Sequence, residues 1–194
     1  MESLATEQNI INVIQYVVIG FFFLITVKTS LKIVPQSRVF VIERFGKYQR
    51  TLNAGLSLIV PFLDKVAHKV DILERETEKL KISVITKDNV EIDLETIVFY
   101  RIIEASKSVY RISNVNSALR TAATSIVRSA GGKLELDEIQ SSRAQMNDEI
   151  KDNLILAAEV WGIEVTRTEV VDVIVDSVTT VSYTHLTLPT TVIV

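Results

Sequence analysis

The stretch Lys79-Leu80-Lys81-Ile82-Ser83-Val84-Ile85-Thr86-Lys87-Asp88-Asn89-Val90-Glu91-Ile92-Asp93-Leu94-Glu95-Thr96-Ile97-Val98-Phe99-Tyr100-Arg101-Ile102 decides the fold class. In its first arm Leu80, Ile82 and Val84 alternate with Lys79, Lys81 and Ser83. In its second arm Val90, Ile92, Leu94, Thr96, Val98 and Tyr100 keep the period of two, and Glu91, Asp93 and Glu95 mark the wet side. A period of two puts alternate side chains on opposite faces, so both arms read as strands of a half-exposed antiparallel sheet. Thr86-Lys87-Asp88-Asn89 is the turn between them, with Asp and Asn supplying local backbone hydrogen bonds.

Upstream, Ser37–Phe45 and Ala67–Leu73 also read as strands, the first with Val39, Val41 and Phe45 on one face and Phe40, Ile42 and Arg44 on the other. Downstream the period changes. Asn114 is a good N-cap for a helix with the stripe Val115, Leu119, Ala122, Ile126 and Ala130, stopped by Gly131-Gly132. A second helix is predicted from Ser142, with Gln145 completing a capping box and the stripe Met146, Ile150, Leu154, Ala157 and Trp161, and Gly162 ends it. Ile163–Val175 then alternates as a strand. The expected architecture is one α/β (α+β) domain over about 28–176, an antiparallel-rich sheet subdomain followed by a helix-helix-strand subdomain, preceded by one transmembrane helix over 8–27.

The 194 residues are 47% hydrophobic, and the mean hydropathy is +0.28, high for a soluble domain. The excess lies at the ends, because residues 28–176 hold all 21 basic and 22 of the 24 acidic residues. Near-neutrality argues against a nucleic-acid partner, which needs a basic surface. With no Cys and two distant histidines, His68 and His185, no thiolate chemistry or metal-ligand spacing is present, and no cofactor is expected. Neither a nucleophile motif nor a glycine-rich phosphate cradle occurs, so an enzyme is disfavoured.

Gln8–Val27 carries no charge, and 13 of its 20 residues are Ile, Val, Leu or Phe, among them Ile10, Ile14, Val18, Phe22 and Ile25. As a helix it covers about 30 Å, the thickness of a bilayer core. Insertion is favourable by about 4 to 8 kcal/mol at most. Glu2 and Glu7 in place of a basic start, and Val27-Lys28 in place of small residues, argue against a cleaved signal peptide. Lys28, Lys32, Arg38, Arg44, Lys47 and Arg50 all follow the segment. The positive-inside rule therefore puts residues 1–7 outside and the domain in the cytoplasm. Asn12 and Gln15 share a helical face, suited either to the headgroup level or to contacts between helices of an oligomer.

Leu56-Ser57-Leu58-Ile59-Val60-Pro61-Phe62-Leu63 has two readings: a loop that dips into the membrane surface through Leu56, Leu58, Ile59 and Phe62, aided by Lys28, Lys32 and Arg38 at the headgroups, or a core segment. Glu74, Glu76 and Glu78 alternate, as a solvated face does or as a site for a cation or a neighbouring subunit's basic residues. Trp161 is a candidate subunit contact or part of an amphipathic helix on the sheet.

An ordered set of motifs carries a resemblance. It comprises Val34-Pro35-Gln36, Glu43-Arg44-Phe45-Gly46-Lys47-Tyr48 with Arg50-Thr51-Leu52, Gly55-Leu56 before Pro61-Phe62, and Val84 through Val90. Phe99-Tyr100-Arg101, Arg128-Ser129, Leu136-Asp137-Glu138 and Trp161-Gly162-Ile163 complete it. Over about residues 34–174 the chain resembles the SPFH (band 7) superfamily of stomatin, prohibitin and flotillin, most closely its prokaryotic stomatin-like or paraslipin branch.

The resemblance implies an SPFH-like domain seated against the bilayer, lateral assembly into a homo-oligomer, a scaffolding role in a membrane microdomain, and partners such as membrane proteases or an NfeD-like membrane protein. An adaptor or inhibitor of a membrane protease or channel, without closed assembly, is the alternative. Two departures stand out. Ala54 replaces a usual Pro, and the family's long Ala/Glu/Arg-rich coiled-coil helix has no counterpart. Residues 177–194 are uncharged, with six Thr in the last sixteen, and read as non-native read-through or the end of a fragment.

Overall fold

The computed structural model describes residues 2–175, with side chains described for Asn12 and from Ile14 onward. The predicted contact Ile10 and the tail 177–194 lie outside the described side chains and residues. The elements are α1 (Glu2–Ser30), β1 (Leu31–Val34), β2 (Arg38–Arg44), β3 (Lys47–Leu52), β4 (Gly55–Leu58), β5 (Asp64–Asp71), β6 (Arg75–Glu76), β7 (Leu80–Ile85) and β8 (Glu91–Ile102). They continue as α2 (Ala105–Tyr110), α3 (Val115–Gly131), α4 (Leu136–Ser141), α5 (Arg143–Glu159) and β9 (Ile163–Val175). Among the described residues every strand pairing is antiparallel. The chain forms two compact units that divide after Asp71.

In the first unit β2 is the centre of a three-stranded sheet between β3 and β5, while β1 and β4 form a separate two-stranded ladder. The expected alternation of β2 is not what the structure has. Val39, Phe40, Val41 and Ile42 are all buried, as suits the central strand of its sheet. Phe40 and Ile42 pack with Val34, Leu52 and Ile59 in the unit's core. Phe45 leaves the strand altogether. Arg44 pairs with Lys47, so Phe45-Gly46 is a two-residue hairpin turn, with φ of 51° and 78°. Positive φ at both central positions is the primed geometry that matches strand twist, and glycine supplies it freely at position 46.

The second unit is built on the two alternating arms β7 and β8. Leu80, Ile82 and Val84 of β7 and Ile92, Leu94, Thr96, Val98 and Tyr100 of β8 are buried, in the predicted phase. The expected grouping of strands before helices is redistributed, since β7 and β8 belong with the helices. β8 pairs with β6 and β7 along one edge and with β9 along the other. The reason is β9, which returns to β8 and lets α3 and α5 cover one face. The shared core joins Leu119, Ala123 and Val127 of α3 to Met146, Ile150, Leu154 and Ala158 of α5. Along β9 the buried positions are Ile163 and Val165, then Thr168 and Val170, because the register slips by one near Thr166. Such a bulge re-aims side chains that strict alternation would turn outward.

Capping follows local chemistry. The Asn114 side chain accepts from the Ser117 amide at 3.1 Å, as predicted for the start of α3. Ser142 does precede α5, but its side chain makes no cap, because it also closes α4. The capping box is formed instead by Glu135 and Glu138 at the start of α4. Gly162 ends the helical region in a left-handed conformation with φ of 71°, and a Cβ there would lie 2.6 Å from the Glu104 carbonyl oxygen. Its own carbonyl accepts from the amides of Ile103 and Glu104, both at 3.0 Å, so no larger residue fits this crossing.

Candidate membrane-contact surface

The first unit concentrates exposed apolar side chains where α1 meets the β-structure. α1 passes into β1 without a break, and β1 pairs with β4 so that Leu31 faces Leu58 and Ile33 faces Leu56. Directly opposed residues share a face of the ladder. These four are exposed, Ile33 at 79%, Leu56 at 71% and Leu58 at 64%. A polar or half-covered surface normally occupies such positions; here one whole face of a two-stranded ladder is aliphatic.

The following loop divides between the two readings of the sequence. Ile59 is 7% exposed and belongs to the core, whereas Phe62 is 84% exposed and Val60 and Leu63 are also exposed. Hydrogen bonds fix this loop at both ends. The Ile59 amide donates to the Ser30 carbonyl at the end of α1 at 2.8 Å. The Val60 amide donates to Asp64 Oδ2 at 3.0 Å, and Arg44 Nε donates to Asp64 Oδ1 at 2.8 Å. The Asp64 side chain is nearly closed off from solvent, and the hydrogen bond from Arg44, then that from Val60, hold its pKa below the ordinary carboxylate value. Arg44 is correspondingly pushed up, first by its hydrogen bond to Asp64. Arg50 also reaches the Leu58 carbonyl.

The Arg44–Asp64 pair joins two turns at one end of the β3-β2-β5 sheet. Each turn presents a phenylalanine: Phe45 with φ of 51° and Phe62 with φ of 68°, both 84% exposed. The left-handed region costs a side chain with a Cβ about 1 kcal/mol or more, and a bulky residue there is a true outlier. Two aromatic rings are thus held in water, in strained backbone, at the same end of one sheet. Phe45 was not among the predicted contacts, nor were Leu31 and Ile33. The available signal was the two-residue gap between Arg44 and Lys47, which leaves Phe45 no strand to pack on.

Of the remaining predicted contacts, Ile14, Val18, Phe22 and Ile25 are exposed along α1, as are Asn12, Gln15 and Lys28. Lys32 is half-buried beside the loop. Arg38 lies apart from this set. It pairs with Asp71, at the opposite end of β2 from Arg44, about 20 Å away at the usual rise per residue. Among the described residues no helix is long and apolar enough to cross a membrane; the side chains of residues 8–11 and 13 of the uncharged run lie outside the description.

In the second unit Glu74, Glu76 and Glu78 are exposed, and Thr77 between the last two is buried, with its hydroxyl accepting from the Val98 amide at 3.2 Å. Glu78 pairs with Arg120 at 2.9 Å. Among the described residues no cluster of His, Asp or Glu is placed to hold a metal ion. Trp161 is half-buried against the core and lines a cavity of about 570 Å³ with Ile112, Asn114, Ala118 and Ala122.

A family model described as SPFH domain / Band 7 family matches residues 32–184. An uncharacterised protein of Mycobacterium tuberculosis (strain ATCC 25618 / H37Rv) is 35% identical over 152 residues, which is 78% of this chain and 40% of that protein. An uncharacterised protein of Methanothermobacter thermautotrophicus is 34% identical over 79% of this chain and 48% of its own length. The mitochondrial stomatin-like protein 2 of Rattus norvegicus is 32% identical over 75% of this chain and 41% of its own length. The chain therefore spans less than half the length of these curated relatives.

Proposed function

The chain belongs to the SPFH domain / Band 7 family, and from that membership we propose that it is a membrane-anchored scaffold that oligomerises laterally, organises a membrane microdomain and holds or regulates membrane proteins such as proteases. In this reading Gln8–Val27 spans the bilayer once, residues 1–7 lie outside, and residues 28–176 form the cytoplasmic domain. The observation that supports it is the exposed apolar surface that continues from α1 through Leu31, Ile33, Leu56 and Leu58 to Phe62. At roughly 1.5 to 3 kcal/mol for each fully buried Leu, Ile or Phe, covering these partly exposed side chains and Phe45 is worth on the order of 10 kcal/mol at most. Water does not supply that gain, and a bilayer interface does.

Confinement to a membrane plane raises the effective concentration of subunits, so weak repeated contacts suffice to close an assembly. Asn12, Gln15, Glu74, Glu76, Glu78 and Trp161 are the proposed contact residues, and membrane proteases or an NfeD-like membrane protein are the proposed partners. Size measurement of the purified full chain in mild detergent tests the scaffold reading. A large homo-oligomer is the expected result; a monomer or dimer would overturn it in favour of an adaptor that works without closed assembly.

A further inference from the structure

In α5 the residues Met146, Ile150, Leu154 and Ala158, four apart, are buried in the core of the second unit. Asp148, Asp152, Leu156 and Val160 repeat with the same spacing two residues further on, about 200° round the helix, and so form the opposite stripe. All four are exposed, Leu156 at 69% and Val160 at 56%, and Glu159 is exposed beside them. Among the described residues Asp148, Asp152 and Glu159 join no ion pair, whereas Glu149 meets Lys133 at 2.9 Å. The helix's own cations, Arg143 and Lys151, are half-buried and lie off the stripe. Three uncompensated acids around two bare aliphatic side chains suit a basic protein surface, the acids setting orientation and the aliphatics supplying burial. An anionic bilayer surface is repelled by them.

The chain carries the complement itself. Residues 28–71 hold eight basic and three acidic residues, whereas residues 72–175 hold 13 basic and 18 acidic, a net charge of +5 against −5. In the first unit Arg38 lies opposite Asp71 and Lys69 opposite Phe40, so both cations belong to one face of the β3-β2-β5 sheet, and both are exposed. They sit at the end of the sheet away from Phe45 and Phe62, clear of the proposed membrane surface. Lys69 lies over the Phe40 ring at 5.5 Å, and Asp71 is the acid that shares this end. A two-fold contact of the α5 stripe with itself would gather six acids, so a contact between copies through it is head-to-tail, the kind of interface that closes rings. We propose that the outward stripe of α5 in one copy docks on the basic first unit of a second copy, with Asp148, Asp152 and Glu159 against Arg38 and Lys69, and Leu156 and Val160 withdrawn from water between them. The assignment rests on the lateral assembly proposed above and gives that assembly a specific pair of surfaces.

The test is a charge swap in the full chain, read as the protein concentration at half assembly in mild detergent. Asp148→Lys with Asp152→Lys and Glu159→Lys should raise that concentration at least about 10-fold, since like charges then face each other across the contact. Adding Arg38→Glu with Lys69→Glu to the same chain restores opposite charges and should recover most of the loss. Unchanged assembly in the first variant overturns the contact, as does a loss that the second pair fails to relieve while the urea midpoint stays at the wild-type value. A second measurement needs no variant: zero-length carbodiimide coupling of the wild-type chain in membranes should give a covalent dimer in which an α5 acid is joined to Lys69. A dimer without that link overturns the contact, and coupling of the α5 acids to a different membrane protein assigns the stripe to that partner instead. A wild-type chain that does not assemble at all overturns the lateral-assembly reading itself, whereas assembly indifferent to the charge swap overturns this pair of surfaces alone.

Discussion

Phe45 and Phe62 set stability against function within a single residue. Asparagine tolerates the left-handed region far better than phenylalanine, so Phe45→Asn should relieve strain and raise unfolding free energy by about 1 kcal/mol. The same change removes an 84% exposed ring from the proposed membrane surface. Vesicle binding of the domain should fall as its urea midpoint rises, and a parallel rise in both would show that the ring does not meet the bilayer. Asp64 carries a pH dependence of defined sign. Its folded pKa lies below the unfolded value, chiefly through Arg44, so its contribution is complete above the ordinary carboxylate pKa of about 3.9 and is lost as pH falls through the lower folded value. Exchange protection of the Val60 amide should therefore hold through pH 5 to 8 and fail only below about pH 4; loss near pH 6 would mean that a different group clamps the loop. The sequence made this loop legible as apolar but not as divided. Which residues of Leu56 to Leu63 face inward depends on the β1–β4 register and on the Ser30–Ile59 hydrogen bond, and neither is local.

At the scale of elements, periodicity was a reliable guide where one face of a strand is wet. The arms 80–85 and 91–102 alternate in sequence and in burial alike, because charged residues occupy the open face: Lys81 meets Asp93 at 3.0 Å, and Lys79 meets Glu95 at 3.5 Å. It failed for β2, a central strand with consecutive buried residues, and it overlooked α2 and α4, each six residues long and too short to show a helical stripe. The α3 and α5 stripes were each displaced by a residue in part. Ala123 and Val127 are the fully buried positions where Ala122 and Ile126 were expected, and Ala158 where Ala157 was. A helix face about 100° wide accommodates such neighbours, and the packing partner selects among them. The junction between α5 and β9 has no such tolerance. Gly162→Ala combines positive φ with a 2.6 Å approach to the Glu104 carbonyl oxygen, so it should cost at least about 2 kcal/mol in chemical denaturation. A loss under 0.5 kcal/mol would show that the crossing of this segment over the start of α2 is looser than its hydrogen bonds imply.

At the scale of the whole molecule, the family was legible because its motifs fall at turns and crossings whose geometry demands particular residues: Phe45-Gly46 at a primed hairpin, Asp88-Asn89 at the turn between β7 and β8, Gly162 at a close approach. A division into two was legible, but its place after Asp71 was not, because it depends on which strands β9 joins, some 70 residues away. Topology is the property of the entire chain that sequence charge argues most directly. Two acids precede the uncharged run and six basic residues follow it by Arg50, so the N-terminus should be extracytoplasmic and the domain cytoplasmic. The chain has no Cys, so single-cysteine variants report without background. In intact cells a membrane-impermeant maleimide should label Ser3→Cys and spare Ser125→Cys, which lies on the exposed side of α3 and should react only after lysis. The reverse pattern would invert the topology, and protection of both positions until lysis would exclude a spanning helix, leaving the apolar face of β1 and β4 to hold the protein at one membrane surface.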